Sequence, residues 1–418
     1  MKKLLLLLII PFLSFGQGWV QTFWTADCYS ILQTNDGGYI MCGDTYEGGS
    51  GSEDIYVVKT TENGDEQWSQ TYGSTSTEHG FSIEKTIDDG YIICGTTYDN
   101  TAGAYLLKID QFGQEQWSQT YGENVEGYGM MHGGHAQQTN DGGYIITGRR
   151  MVGHESPSGG TCGNNDVVLL KTDENGEQQW LNNFYVSECW GESGHRVYQT
   201  SSGGYIVGGS YFGENSGIVI FKIDENGEEQ WSQTYEASGY NGLSDFEETN
   251  DGGYIFGYSD IIIKVNSNGF QEWSQTYGEA VNAGVGAIAQ TNDGGYIIGG
   301  TTGEGYDYNN YNLSLIKTDE AGNEQWSQTY DLMYEFRCHD IEQTSDGGYI
   351  IGGELNNNAC LIKTNELGNI NSTNIIETPT INKTLITTVD ILGKATTNKG
   401  FQLHIYDDGT VEKKYVIK

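Results

Sequence analysis

Imidazole and guanidinium side chains are scarce in this 418-residue chain, which has seven histidines and only four arginines. They are not scattered. His132, His135, Trp190, His195, Arg196, Arg337, His339 and Asp340 stand at the entrances to segments that end in Gln-Thr or its equivalent. Side chains of these types suit a polar ligand site, and His135, Trp190, His195, Arg196, Arg337, His339 and Asp340 form the expected ligand-binding set. The imidazoles of His132, His135, His195 and His339 could bind a metal ion if they converge. Their spacing does not decide that, so the metal is left unassigned. The same residues have a plainer use, because groups at the start of a strand satisfy loop backbone and pair with nearby acids. No catalytic residue is assigned. The chain contains no Gly-x-Ser-x-Gly, His-Glu-x-x-His or P-loop segment.

What positions these residues is a repeat. The unit Gln33-Thr34-Asn35-Asp36-Gly37-Gly38-Tyr39-Ile40 recurs with its tyrosine at Tyr91, Tyr144, Tyr205, Tyr254, Tyr296 and Tyr349, at spacings of 52, 53, 61, 49, 42 and 53 residues. A second unit follows in each repeat, as in Lys171-Thr172-Asp173-Glu174-Asn175-Gly176 with Trp180 beyond it. Each repeat reads as four short strands. The first ends at Gln-Thr, and Asn-Asp-Gly-Gly is a tight turn in which glycine supplies the positive φ. The second is Gly-Tyr-Ile-Ile, the third is the apolar run before the lysine, and the fourth is Glu-Gln-Trp-Ser-Gln-Thr-Tyr. Four-stranded units of this length suit propeller blades.

The expected fold is therefore all-β, a seven-bladed β-propeller with a small C-terminal β module. A β-solenoid is the alternative, and one feature argues against it. The seventh repeat lacks its tryptophan strand, since Gly368-Asn369-Ile370-Asn371 runs into a different segment. A matching strand, Trp19-Val20-Gln21-Thr22-Phe23, sits at the other end of the chain. An N-terminal strand that completes the last blade closes a ring and leaves no open array ends, whereas a solenoid needs capping units.

The turn unit Asp173-x-x-Gly176-x-x-x-Trp180 resembles the tryptophan-docking motif of quinoprotein-type propellers, although its spacing differs by one residue between Asp and Gly. The resemblance implies that the outer-strand indole packs against the neighbouring blade. The whole Gln-Thr-x-Asp-Gly-Gly-Tyr-Ile pattern is similar to a repeat found in many exported Bacteroidota proteins. What it implies is architectural. A quinone-cofactor dehydrogenase shares the blade type, but no cofactor cage or adjacent cysteines can be identified, and no cofactor is expected. A sialidase-like propeller would need an arginine triad and differently spaced Asp and Trp turns.

The ends of the chain point to export. Lys2 and Lys3 precede the apolar Leu4–Leu13, with small residues to Gly16, which reads as a signal peptide over residues 1–16. The propeller is expected over 17–373. From 374 to 418 glycine thins out. Val389-Asp390-Ile391-Leu392-Gly393-Lys394, then Gly400-Phe401, then a basic terminal strand resemble the sorting domain of type IX secretion cargo. The common Pro-Asn-Pro opening is missing. Without the family, this segment is two or three strands ending in a hairpin at Asp407-Asp408-Gly409. The resemblance implies Sec export followed by type IX passage to the surface or medium, with the type IX machinery as partner.

The formal charge of −37 disfavours nucleic acid and anionic membranes. Of the seven cysteines, Cys42 and Cys94 read as buried strand thiols, while Cys162 with Cys189 is the best candidate pair; Cys28 and Cys338 could pair only if close. Finally, the Asp-Gly-Gly and Asp-x-x-Gly turns are nearly constant and share one face. The other connections vary and share the opposite face, where binding usually lives. Tyr306, Tyr308 and Tyr311 there suit stacking or loop packing. The expected function is a secreted or surface binding module for a glycan or protein. The alternative is a polysaccharide-acting enzyme, a lyase or hydrolase, at the channel mouth.

Overall fold

Alternation of β-formers with two fixed turns leaves each repeat one way to bury its apolar residues, a four-stranded antiparallel meander. The computed structural model describes residues 18–370 except 24–25, 48, 99–101, 123–130, 156–160, 187–190, 202, 213–215, 238–241, 279–280, 282–283, 304–310 and 333, and the strands of a C-terminal unit. The expected signal peptide lies outside the described residues. Two compact units result, Met1–Asn371 and Ser372–Lys418.

The first unit is a seven-bladed β-propeller of seven four-stranded sheets. Blade 1 runs Ser30–Gln33, Tyr39–Thr45, Asp54–Thr60 and Glu66–Tyr72. Blades 2 to 6 repeat that order. Blade 7 takes Phe336–Gln343, Tyr349–Leu355 and Asn358–Thr364 from the end of the array and its outer strand from Trp19–Phe23. Trp19 pairs with Lys363 and Phe23 with Ala359. The ring is closed by the first strand of the chain.

The constant residues of the repeat are accounted for by two pieces of wiring. At the first turn, Asp141 accepts from Thr139 Oγ1 at 2.5 Å, from the Gly143 N–H at 3.0 Å and from Lys171 Nζ at 3.0 Å. Lys171 is only 3% exposed, so its charge is held indoors against one carboxylate. The same lysine–aspartate pair recurs in every blade but the fourth.

At the second turn, each glycine has φ near +80° and lies flat against the indole of the preceding blade. A Cβ on Gly176 would sit 2.9 Å from the Trp117 ring, and one on Gly64 would sit 2.9 Å from Trp19. Tyr121 Oη donates to the Gly176 carbonyl at 2.6 Å, as Tyr72 does to Gly113. In blade 3 the tyrosine is Phe184, and Asn182 Nδ2 donates to Gly227 O at 2.8 Å instead. Indole packing on the next blade is thus what the docking resemblance implied, at every seam including the closing one.

Cys28, Cys42, Cys94, Cys338 and Cys360 are buried free thiols, so Cys28 and Cys338 do not pair. Cys189 and the side chain of Cys162 lie outside the described residues. The second unit is a three-stranded antiparallel sheet of Leu385–Val389, Gly400–Tyr406 and Val411–Val416. Gly400 pairs with Val416 across the expected hairpin, whose tip at 407–410 lies outside the described residues. Among the described residues no helix is long and apolar enough to cross a membrane.

Candidate functional site at the channel mouth

The seven inner strands line the channel in register, so the repeat stacks their residues into rings. In five inner strands the ladder slips by one residue, leaving Phe81, Gly134, His195, Gly286 and His339 as the extra, unpaired position. Tyr29 and Ser244 hold the same place, donating their N–H to Cys42 O and Gly257 O. A bulge re-aims a side chain, and here it gives an uppermost ring of Tyr29, Phe81, Gly134, His195, Ser244, Gly286 and His339.

One residue on lies a second ring: Ser30, Ser82, His135, Arg196, Asp245, Ala287 and Asp340. Two further on is a third that includes Glu84, Gln137, Tyr198, Glu247 and Glu342. These deeper rings are structural. Asp340 accepts the Ile31 N–H of the next blade at 2.9 Å, Glu342 that of Gln33 at 2.8 Å, Asp245 that of Ile288 at 3.0 Å and Glu247 that of Gln290 at 2.9 Å. The repeat's glutamine staples the other way: Gln33 Oε1 accepts from Ser345 N and Gln343 Oε1 from Asn292 N, both at 2.7 Å. Burial, with the neighbouring carboxylates, pushes Asp340 up to about 6 and Glu342 up to about 8.

Of the seven expected ligand residues, the structure brings His195, Arg196 and His339 together, with His132, in one pocket of about 340 Å³ at the mouth on the variable face. That size is at the small end of ligand sites, which run roughly 300–1,000 Å³. His135 and Asp340 are elsewhere. His135 is 3% exposed, 3.2 Å from Glu84 and facing the Val197 N–H of the next blade, while Asp340 serves the blade 7–blade 1 seam. Arg337 is half exposed and pairs with Glu335 at 3.0 Å and Glu354 at 3.6 Å, outside the pocket lining. Trp190, Tyr306 and Tyr308 lie outside the described residues.

The lining side chains outside the expected histidine and ligand set are Tyr29, Phe81, Tyr98, Arg149, Ser193 and Ser244. With the histidines, Tyr29, Phe81 and Tyr98 build an arc of rings over blades 7, 1, 2 and 3. His339 meets Tyr29 edge-on at 5.6 Å, Tyr29 meets Phe81 at 5.8 Å, Phe81 stacks on His79 at 5.8 Å, and Tyr98 bridges His79 and His132 at 5.7 Å each. His79 is held from behind by Asp44 at 2.6 Å and Glu53 at 3.2 Å. A signal for part of this set existed. Tyr29, Phe81, Gly134, His195, Ser244, Gly286 and His339 each stand four residues before the Gln of Gln-Thr or its equivalent.

Across from the arc the wall is polar. His195 Nε2 lies 3.1 Å from Ser210 Oγ, and Arg196 Nε lies 3.2 Å from Asp245. Arg149, opposite His132 in the ladder, is exposed and has no ion pair or side-chain hydrogen bond among the described residues. Burial, and then the nearby Arg149, hold His132 down at about 4; burial, then Arg196 and Arg149, do the same for His195. Both imidazoles are neutral at pH 7. Among the described residues no three His, Cys, Asp or Glu side chains are placed to hold a metal ion.

With this geometry in hand, the chain can be set beside known proteins. No family model matches it, and no curated protein matches it. Its likeness is to solved structures. A mutant puromycin hydrolase complexed with PGG superposes with a TM-score of 0.56 at 10% identity, over 92% of this chain and 58% of that longer one. YCF48 bound to D1 peptide gives 0.50 at 10% identity, over 83% and 96%. A Bacteroides caccae protein of unknown function gives 0.42 at 15% identity, over 69% and 93%. The fold is what the first two share with this chain. At such identity a likeness speaks for the propeller and for nothing in the pocket.

Proposed function

We propose that this chain is an exported binding module that takes a glycan, or else a protein segment, into the mouth pocket. The observation that carries the reading is the pairing of an aromatic arc with hydrogen-bonding groups around one concave space. Ring faces and edges bury the C–H faces of a sugar, and His195 and Ser244 offer its hydroxyls partners. YCF48 with its D1 peptide keeps a protein segment as the other ligand class for a propeller of this kind. A polysaccharide-acting enzyme is the weaker reading. Glycoside hydrolysis uses two carboxylates roughly 5–10 Å apart, and among the described residues no Asp or Glu lines the pocket.

Export is part of the proposal. It rests on the basic-then-apolar N-terminus and on the terminal segment that resembles a type IX sorting domain. The route is Sec, then the type IX machinery, to the outer-membrane surface or the medium.

The test is carbohydrate-array binding followed by calorimetry on wild type, Phe81→Ala and Tyr98→Ala. Each substitution is expected to weaken a true ligand about tenfold or more. Full affinity in both variants would move the site away from the mouth, and release of cleaved sugar would make the protein an enzyme.

A further inference from the structure

We infer that the sugar the mouth pocket selects carries a carboxylate, and that Arg149 is the residue that reads it. The inference rests on the glycan-binding reading and deepens it.

The composition of the pocket is the first ground. The chain holds 57 acidic residues against 20 basic ones, yet among the described residues the pocket lining contains Arg149 and Arg196 and no Asp or Glu. Three acids that contact lining residues have those residues as partners. Asp245 holds Arg196, Glu354 holds His339 and Asp27 accepts from the Tyr29 hydroxyl at 3.1 Å. An anion entering the pocket meets a surface cleared of like charge in a protein that is acidic elsewhere, so it is recognised there and repelled over most of the remaining surface.

The second ground is the state of the two guanidinium groups. Arg196 is already committed to Asp245, whereas Arg149 is exposed and has no partner among the described residues. A planar guanidinium grips a carboxylate through two parallel hydrogen bonds, and Arg149 has that fork to offer.

The third ground is the shape of blade 3. Where other blades put Tyr29, Phe81 or His339 into the uppermost ring, blade 3 has Gly134, whose Cβ would meet the Gly194 carbonyl of the next blade at 2.9 Å. Beside it is Gly148, where a Cβ would lie 1.9 Å from the His132 carbonyl, so the backbones of the two strands close up with no side chain between them. Arg149 follows directly. Blade 3 thus sets no ring side chain beside Arg149, and the aromatic arc begins at His132, opposite Arg149 in the ladder. A pyranose can rest on the arc while its carboxylate turns toward blade 3.

Calorimetry on the full chain tests this with matched pairs: oligogalacturonide against its methyl ester, and sialyllactose against lactose. In at least one pair the acid is expected to bind ten times more tightly or better. Arg149→Gln should abolish that preference and leave the neutral partner's affinity unchanged, while Arg149→Lys restores part of it. Because Arg149 is exposed, these variants leave the core intact. Neutral sugars binding as tightly as acidic ones, with Arg149→Gln affecting neither, would overturn the carboxylate inference and leave glycan binding standing. Binding of no sugar at all, or only of peptides with a free C-terminal carboxylate, would overturn the glycan reading beneath it.

Discussion

On the turn face, Lys171 reaches Asp141, Asp141 takes up Thr139 and the Gly143 N–H, and the Gly176 carbonyl receives Tyr121. At the mouth, Arg149 ends without a partner among the described residues and Tyr98 is 45% exposed. The turn face spends its polar groups on itself, blade after blade. The mouth leaves polar and aromatic groups unspent, and differently in each blade. Substitutions on the first should therefore act on stability, and those on the second should act on binding.

The largest stability effect should come from the indole seams. Gly322→Ala forces a Cβ onto a backbone at φ +77° and to within 2.8 Å of the Trp273 ring. The loss is expected to be about 2–4 kcal/mol, read as a lower midpoint in denaturant. A silent variant would mean that the seam is looser than the geometry requires.

Next is the buried acid ladder. Burial raises Glu342 to about 8, above its ordinary value of about 4.5. A carboxyl whose pKa is raised by folding contributes stability in its protonated form. That contribution is complete below the unfolded pKa and is lost as pH climbs through the folded one. Stability should decline between about pH 4.5 and 8. Glu342→Gln, which still accepts the Gln33 N–H, should remove most of this decline. Unchanged pH dependence in thermal melts would place the titration elsewhere.

The smallest effect is a gain. In blade 4 the sequence has Ser202 where the other turns have aspartate, and among the described residues Lys222 Nζ donates to Thr200 Oγ1 at 2.6 Å. Ser202→Asp should restore the pair and add about 0.5–1.5 kcal/mol, without altering ligand affinity. Destabilisation would show that blade 4 has adapted to the loss.

At the mouth the signs reverse. Any anion that binds beside His132 and His195 favours their protonated forms. His132 faces Arg149 and the Tyr98 hydroxyl, and His195 faces Arg149, Arg196 and Ser210. Affinity for an acidic sugar should rise as pH falls from 7 toward 5, while that for its neutral partner stays flat.

The same contrast explains what the sequence revealed. Nearly constant turns recur seven times because each must solve one local problem, so the blades, the closing strand Trp19–Phe23 and the division of faces were legible from the repeat's residues and spacing. The mouth obeys no repeat. Arg149 sits at the end of a second strand and Tyr98 beyond one, so their approach to His132 and His195 depends on how two blades pack. His135 and Asp340 looked like ligand groups because they are polar and lie at the right height. One residue of bulge turns them into the blade seams, where backbone N–H groups claim them.

The most direct measurement is hydroxyl-radical footprinting of the full chain with and without a bound glycan. The turn face supplies its own controls in the exposed Ile87, Phe112, Phe270 and Leu367. Protection of Tyr29, Phe81 and Tyr98, with those four unchanged, is the predicted result. Protection of the four with the mouth still reactive would contradict it.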